Sequence, residues 1–328
     1  MFDRILIIQT AFIGDVILAT PVIKKLKKFY PGSKIDFLLR KGNESILDNN
    51  PHLNEVIVFD KNINKYSNLF RLIKKIRKNK YDLVVNIQRY HTTGLITVFS
   101  GAKLTVGFDQ NPLSFLFKRK VVHDMHRDKQ SRHEVSRNLK LIEEFTDNSF
   151  EMPELYPTEK DFKKVAVSGE YYCIAPNSVL YTKEYPRKKW IELIEKLPED
   201  AMVYLLGAPG DKIKSGMIMR ESNRKNLRDL TGTLSFLESA ALMKGAKMNF
   251  VNDSAPLHIT SAVNAPVRAL FLSTSPVLGY GPLSEDSLVI ESKQDLPCKP
   301  CGFTGKNKCP EGHFRCSDIP VDDILRTL

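Results

Sequence analysis

The residues best suited to chemistry lie in one stretch, 249–272, which reads NFVNDSAPLHITSAVNAPVRALFL. It has a carboxylate (Asp253), a hydroxyl (Ser254) and an imidazole (His258), set around a proline at the opening of a helical pattern. Asn252, Asp253 and Ser254 are helix-entry residues, and Pro256 falls in a first turn, where its missing N–H has no intrahelical partner to lose. A helix opening directly off a strand points free backbone N–H groups and the positive end of its dipole at the sheet's carboxyl edge, a ready site for phosphate. Taken singly, Asp253 is a helix cap and His258 a surface histidine. The compact D-S-x-P-x-H arrangement on a strand-to-helix turn favours the phosphate reading.

The elements around this stretch are those of an α/β protein. In residues 1–150, apolar runs at 4–9, 35–39, 56–59, 83–87, 104–106 and 120–122 alternate with helical patterns, including a basic amphipathic one at 69–77 and a long polar one at 131–145. Pro21 lies inside the helical pattern that Asp15 begins, which predicts a bend or a helix whose regular part starts there. The proline-bearing segment 148–157 is the expected boundary, giving domains 1–155 and 156–328. Alternation then resumes with strands at 171–175, 202–206, 226–229, 250–251, 267–272 and 288–290, helices between them, and a last helix at 321–328. The expected result is two Rossmann-like halves with a cleft between them.

Composition narrows the class. The chain has 328 residues, 42% hydrophobic and 27% charged, long enough for two cores, and no run approaches the length that spans a bilayer. The start, MFDRILIIQTAFIGD, lacks a signal-peptide pattern, so a cytoplasmic protein is expected. The net charge of +11 is one-sided: residues 1–150 hold 26 Lys and Arg against 15 Asp and Glu, and residues 151–328 hold 23 of each. A basic first half suits an anionic partner such as a lipid headgroup, a phosphorylated glycan or nucleic acid, or else is a solvated surface.

Doubly wound sheets bind ligands at the carboxyl ends of their strands. In the first half, the turn after the first strand has Gly14 as its only glycine, so the G-x-G-x-x-G fingerprint of a dinucleotide site is missing. It offers Asp15, a candidate general base or a helix cap. The second half offers NSVLYTKEYP (177–186) with Thr182 and Lys183, GAPGD (207–211) with Gly207, then Thr231 and Gly232, and Asp253, Ser254 and His258. Hydroxyls, glycines, a lysine and a helix N-terminus fit a nucleotide diphosphate better than a nicotinamide.

Five ordered motifs, Gly14-Asp15-Val16-Ile17 with Pro21, Thr182-Lys183 with Pro186, Leu206-Gly207, Leu230-Thr231-Gly232, and Asn252-Asp253-Ser254 with Pro256, His258, Ala262 and Pro266, resemble glycosyltransferase family 9 from end to end. These are the ADP-heptose lipopolysaccharide heptosyltransferases. The resemblance implies a GT-B fold of two facing Rossmann-like domains and an inverting, metal-independent transfer of heptose from a nucleotide-sugar donor. The acceptor would be an anionic glycolipid, a hydroxyl of the growing lipopolysaccharide core. By position, Asp15 would deprotonate the acceptor, Lys183 would neutralise the leaving diphosphate, and Asp253, Ser254 and His258 would hold the donor.

The chain departs from the family pattern in having Ala255 where glycine is common and Tyr185 where tryptophan is usual, which bears on donor identity more than on activity. Arg89 and His91, in the turn after the fourth strand, are candidate acceptor contacts. Peripheral contact with the cytoplasmic face of the inner membrane is expected, with no nucleic-acid partner. A non-catalytic binding protein of the same fold is the alternative, and a nucleotide-dependent oxidoreductase is disfavoured by the missing fingerprint. Of five cysteines, Cys173 lies alone in an apolar run, whereas Cys298, Cys301, Cys309 and Cys316 form C-x2-C-x7-C-x6-C. The four are compatible with a structural zinc or with free thiols, and no cofactor is expected for catalysis.

Overall fold

The computed structural model describes residues 1–61, 65–124 and 133–328. The chain gathers into two compact units which, among the described residues, meet in sequence at Tyr156 and Pro157.

In the first unit the order is β1 (Arg4–Ile8), α1 (Ile13–Ile17), α2 (Thr20–Phe29), β2 (Lys34–Arg40), β3 (Glu55–Phe59), α3 (Lys65–Lys78), β4 (Leu83–Asn86), α4 (His91–Phe99), β5 (Leu104–Phe108), β6 (Arg119–Val121) and α5 (Glu134–Lys140). The six strands form one sheet in the order β3-β2-β1-β4-β5-β6, with every pairing parallel. Ile5, Leu6, Ile7 and Ile8 are all fully buried, as a central strand covered on both faces requires.

The second unit contains α6 (Glu159–Lys164), β7 (Tyr171–Ala175), α7 (Arg187–Lys196), β8 (Met202–Leu205), α8 (Lys212–Glu221), β9 (Leu227–Asp229), α9 (Phe236–Gly245), β10 (Met248–Asn252), α10 (Ala255–Ala262), β11 (Val267–Phe271), β12 (Ser287–Glu291) and α11 (Val321–Leu325). Its sheet, β12-β11-β10-β7-β8-β9, is also parallel throughout. Read from the other edge, this is the strand order of the first unit, with β7 in the place of β1 and β10 in the place of β4. Each sheet therefore has a switch point, between β1 and β4 and between β7 and β10, where a crevice opens at the carboxyl edge.

Pro21 resolves into two helices rather than one bent helix. Proline has no N–H to bond the carbonyl of Ile17, and the Thr20 hydroxyl donates to that carbonyl instead, at 2.7 Å. The expected polar helix at 131–145 is shorter: its first residues lie outside those described, α5 ends at Lys140, and a separate 3-10 turn covers Glu143–Phe145. Leu141 and Ile142 bond three residues back rather than four, which tightens the chain out of the α-helix. Helix α6 has a legible start that the sequence reading does not claim, a Thr158–Asp161 capping box. Among the described residues no helix is long and apolar enough to cross a membrane.

Candidate functional site

Two carboxyl edges carry the candidate residues, one in each unit. In the first, β1 leads through Gln9 and Thr10 into α1, whose first turn holds Asp15. The Asp15 Oδ2 reaches back to accept the Phe12 N–H at 3.2 Å, which fixes the carboxylate over the helix entry. Burial pushes its pKa up from 3.8 to about 6, and the negative charge of Glu134 adds to the rise. Backbone N–H groups of Phe12 and Asp15 and the charge of Arg89 pull the other way and lose. A carboxyl so placed is ionised at neutral pH yet basic enough to hold a proton in transit.

Sequence reasoning misses Glu134. It opens α5 and is 7% exposed. Burial works against its charge, but Arg137 and His123 overcome this and hold its pKa at about 2. The Arg137 Nε and Nη2 lie 2.7 and 2.6 Å from Glu134 Oε2, and the His123 Nε2 lies 3.8 Å from it. The Asn138 side-chain amide donates to Leu18 O at 3.1 Å and docks α5 beside the end of α1. The E-x-x-R spacing reads as an ordinary helix-surface pair, and no local signal in the sequence places it near Asp15.

Arg89 and His91 are both exposed in the turn after β4 and the start of α4, across the switch point from Asp15. That turn is shaped by Asn111, whose amide donates to Gln88 O at 2.9 Å and Tyr90 O at 3.1 Å. Gly94 makes room for it, since a Cβ there would lie 2.4 Å from Asn111 Oδ1.

In the second unit β10 ends in Asn252, whose buried side chain accepts the Tyr185 N–H at 3.1 Å and donates to Pro176 O at 2.8 Å. This ties the turn after β7 to the turn after β10. Lys183 Nζ then meets Asp253 Oδ2 at 2.8 Å, and the Thr274 hydroxyl donates to the same oxygen at 2.6 Å. Asp253 and His258 are each 6% exposed, and Ser254 is the extended cap residue of α10, with Pro256 in its first turn. The arrangement holds an ammonium at a helix N-terminus where an anion would be welcome.

Thr182 is tied to the loop that carries Lys306. Its hydroxyl donates to Lys306 O at 3.0 Å and accepts from the Lys306 N–H at 2.8 Å and from the Ser273 hydroxyl at 2.9 Å. That fills its hydrogen-bonding capacity. Gly305 packs on the Lys183 stem, where a Cβ would lie 3.0 Å from Cγ. Thr231 is likewise buried, its hydroxyl donating to Ser215 at 2.9 Å. Gly207 and Gly232 bring two loops together: the Gly232 N–H donates to Gly207 O at 2.9 Å. Gly232 has φ +70, and a Cβ there would meet Pro209 Cα at 2.7 Å. Ser273 and Thr274 belong to the same edge, and their sequence signal is a hydroxyl-rich S-T-S turn after an apolar strand.

The four late cysteines lie within electrostatic reach of one another. Among the described residues no group of three or more His, Cys, Asp or Glu is placed to hold a metal ion. Cys316 is taken into the core cluster and Cys298 packs against it, while Cys309 Sγ accepts the Phe314 N–H at 3.4 Å. Burial raises the Cys316 thiol to about 11. Cys173 is buried as expected.

The profile of glycosyltransferase family 9 (heptosyltransferase) matches residues 69–311. Lipopolysaccharide heptosyltransferase 3 of Escherichia coli K12 is 30% identical over 95% of this chain and 93% of its own length. Among solved structures, a family 9 glycosyl transferase from Veillonella parvula superposes with a TM-score of 0.86 at 20% identity, covering 99% of this chain and 96% of that one. Escherichia coli ADP-heptose lps heptosyltransferase II gives 0.82 at 20% identity, covering 99% and 97%. These likenesses place the fold in the GT-B class.

Proposed function

The chain belongs to glycosyltransferase family 9 and is a glycosyltransferase, and from that premise we propose that it transfers heptose from ADP-heptose to a hydroxyl of the lipopolysaccharide core, with inversion and without a metal. The donor reading draws on the named activity of the Escherichia coli heptosyltransferase II of like fold. The acceptor reading draws on the lipopolysaccharide heptosyltransferase 3 relative.

The observation that carries the proposal is Asp15, a carboxyl with its pKa pushed to about 6 at the switch point of the first sheet. Asp15 takes the proton of the acceptor hydroxyl as that oxygen forms its bond to the anomeric carbon. The bond from that carbon to the donor phosphate breaks, and its electron pair leaves with ADP. Lys183 and the opening of α10 stabilise the charge that grows on the leaving diphosphate. Asp253 and Thr274 hold the Lys183 ammonium in place, Ser254 and His258 line the same turn, and Thr182, Thr231, Gly207 and Gly232 fix the loops around it. Arg89 and His91 meet anionic groups of the acceptor. Because the acceptor is a glycolipid, the enzyme works in peripheral contact with the cytoplasmic face of the inner membrane.

The test is a thermal-shift panel of nucleotide sugars, followed by incubation with the best of them and a heptose-deficient core acceptor, with and without a chelator. Stabilisation by ADP-heptose and a chelator-insensitive gain of one heptose on the acceptor, with its anomeric configuration opposite to the donor's, are expected. Stabilisation without product would leave the non-catalytic binding protein as the better reading. Indifference to ADP-sugars would overturn the donor.

A further inference from the structure

Helix α3 opens off the carboxyl end of β3, so its first turn lies at the edge of the sheet that also carries Asp15 and Arg89. Over its 14 residues Leu69, Leu72 and Ile76 face the core. On the opposite side Tyr66 is 81% and Phe70 72% exposed, far more than large aromatics on a helix buried by its own domain. They stand four residues apart and share one stripe with exposed Lys74 and Lys78, and Arg77 lies beside it. Of the other cations on the helix, Arg71 bonds Asn68 at 2.6 Å and Lys75 bonds Glu55 at 2.6 Å.

From this pattern we propose that the outer face of α3 is a docking surface for an anionic lipid bilayer, with Tyr66 and Phe70 entering the headgroup boundary and Lys74, Arg77 and Lys78 meeting its negative charge. A helix that lies in an interface is built this way, apolar rings on one part of its face and Lys or Arg on the rest. Charge complementarity selects the occupant. Residues 1–150 hold 26 cationic against 15 anionic side chains, whereas the remainder is balanced at 23 to 23, and each cation at an anionic surface adds to attachment. The surface adjoins the edge where a lipid-borne acceptor must present its sugar, so this inference rests on the glycolipid reading above.

The experiment is co-sedimentation with phosphatidylcholine vesicles, with and without phosphatidylglycerol, using the full chain and two double variants, Tyr66→Ser/Phe70→Ser and Lys74→Glu/Lys78→Glu. The wild type should bind the anionic vesicles, less so as salt rises, and each variant should lose about tenfold or more in partitioning. Both variants should keep wild-type turnover on an acyl-free acceptor and lose it on the acylated form of that acceptor embedded in vesicles. Equal binding to both vesicle types, or a serine variant that partitions like the wild type, would overturn the proposal. Phe70→Trp gives a second reading that does not depend on those variants: its emission should shift to the blue on anionic vesicles, and unshifted emission would also overturn it. If the wild type binds vesicles but glycosylates neither acceptor, the enzymatic reading fails and the lipid surface stands.

Discussion

The two sheets share one strand order and present opposite chemistry at the same place. After β1 the first sheet supplies a carboxylate; after β7, its topological counterpart, the second supplies the lysine of an ion pair. After β4 the first presents exposed Arg89 and His91, whereas after β10 the second presents buried Asp253 and His258. The first edge is poised by electrostatics, with Asp15 strained upward by burial and Glu134. The second is held by polar contacts in two sets, Lys183 and Thr274 on Asp253, and Ser273 and Lys306 on Thr182. A doubly wound sheet fixes where a site forms, and the turn residues decide what it does.

Removing the defining group from each edge should break this contrast most severely. Asp15→Asn is expected to lower kcat by about 10³-fold or more in a transfer assay while donor affinity, read by thermal shift, stays near wild type. The same substitution should raise Tm at neutral pH. A carboxyl whose folded pKa exceeds its unfolded one contributes stability that is full below 3.8 and is lost as pH climbs through about 6. The gain in Tm should therefore close at low pH. Lys183→Ala should cost about 10²-fold in kcat/KM and weaken donor binding as well, because its charge serves both the bound and the departing diphosphate. An Asp15 variant with normal turnover, or a Lys183 variant impaired only in acceptor affinity, would dissolve the division of labour.

Smaller effects sharpen it. Gly232→Ala forces a left-handed residue and a Cβ onto Pro209, and should lower unfolding stability by about 2 kcal/mol in a denaturant titration. Glu134→Gln should move the acid limb of the kcat/KM profile, which rises with pH through about 6, to lower pH. The move should be under about one unit, because burial is the larger cause and remains. A limb that stays in place would show that Glu134 acts only as the partner of Arg137.

Much of this was readable along the chain. Strands betray themselves by apolar runs such as Ile5 to Ile8, and Asp15, Lys183 and Asp253 announce themselves by standing in strand-to-helix turns. The capping box at Thr158 and Asp161 is local and readable too. Spacing alone could not say which of the four late thiols the core absorbs, and it is Cys316 that packs inward.

What sequence alone determined is therefore local: element type, alternation, and which residues occupy the turns, since hydrogen-bonding periods and turn preferences act over a few residues. Tertiary structure decided the partners. Thr182 is closed by Lys306, 124 residues away, and Thr274 reaches Asp253 across 21. Glu134 comes beside Asp15 only because α5 docks on Leu18, 120 residues before Asn138. Such meetings depend on where the whole folded path returns, and the burial that sets the Asp15 pKa exists only once that path has closed.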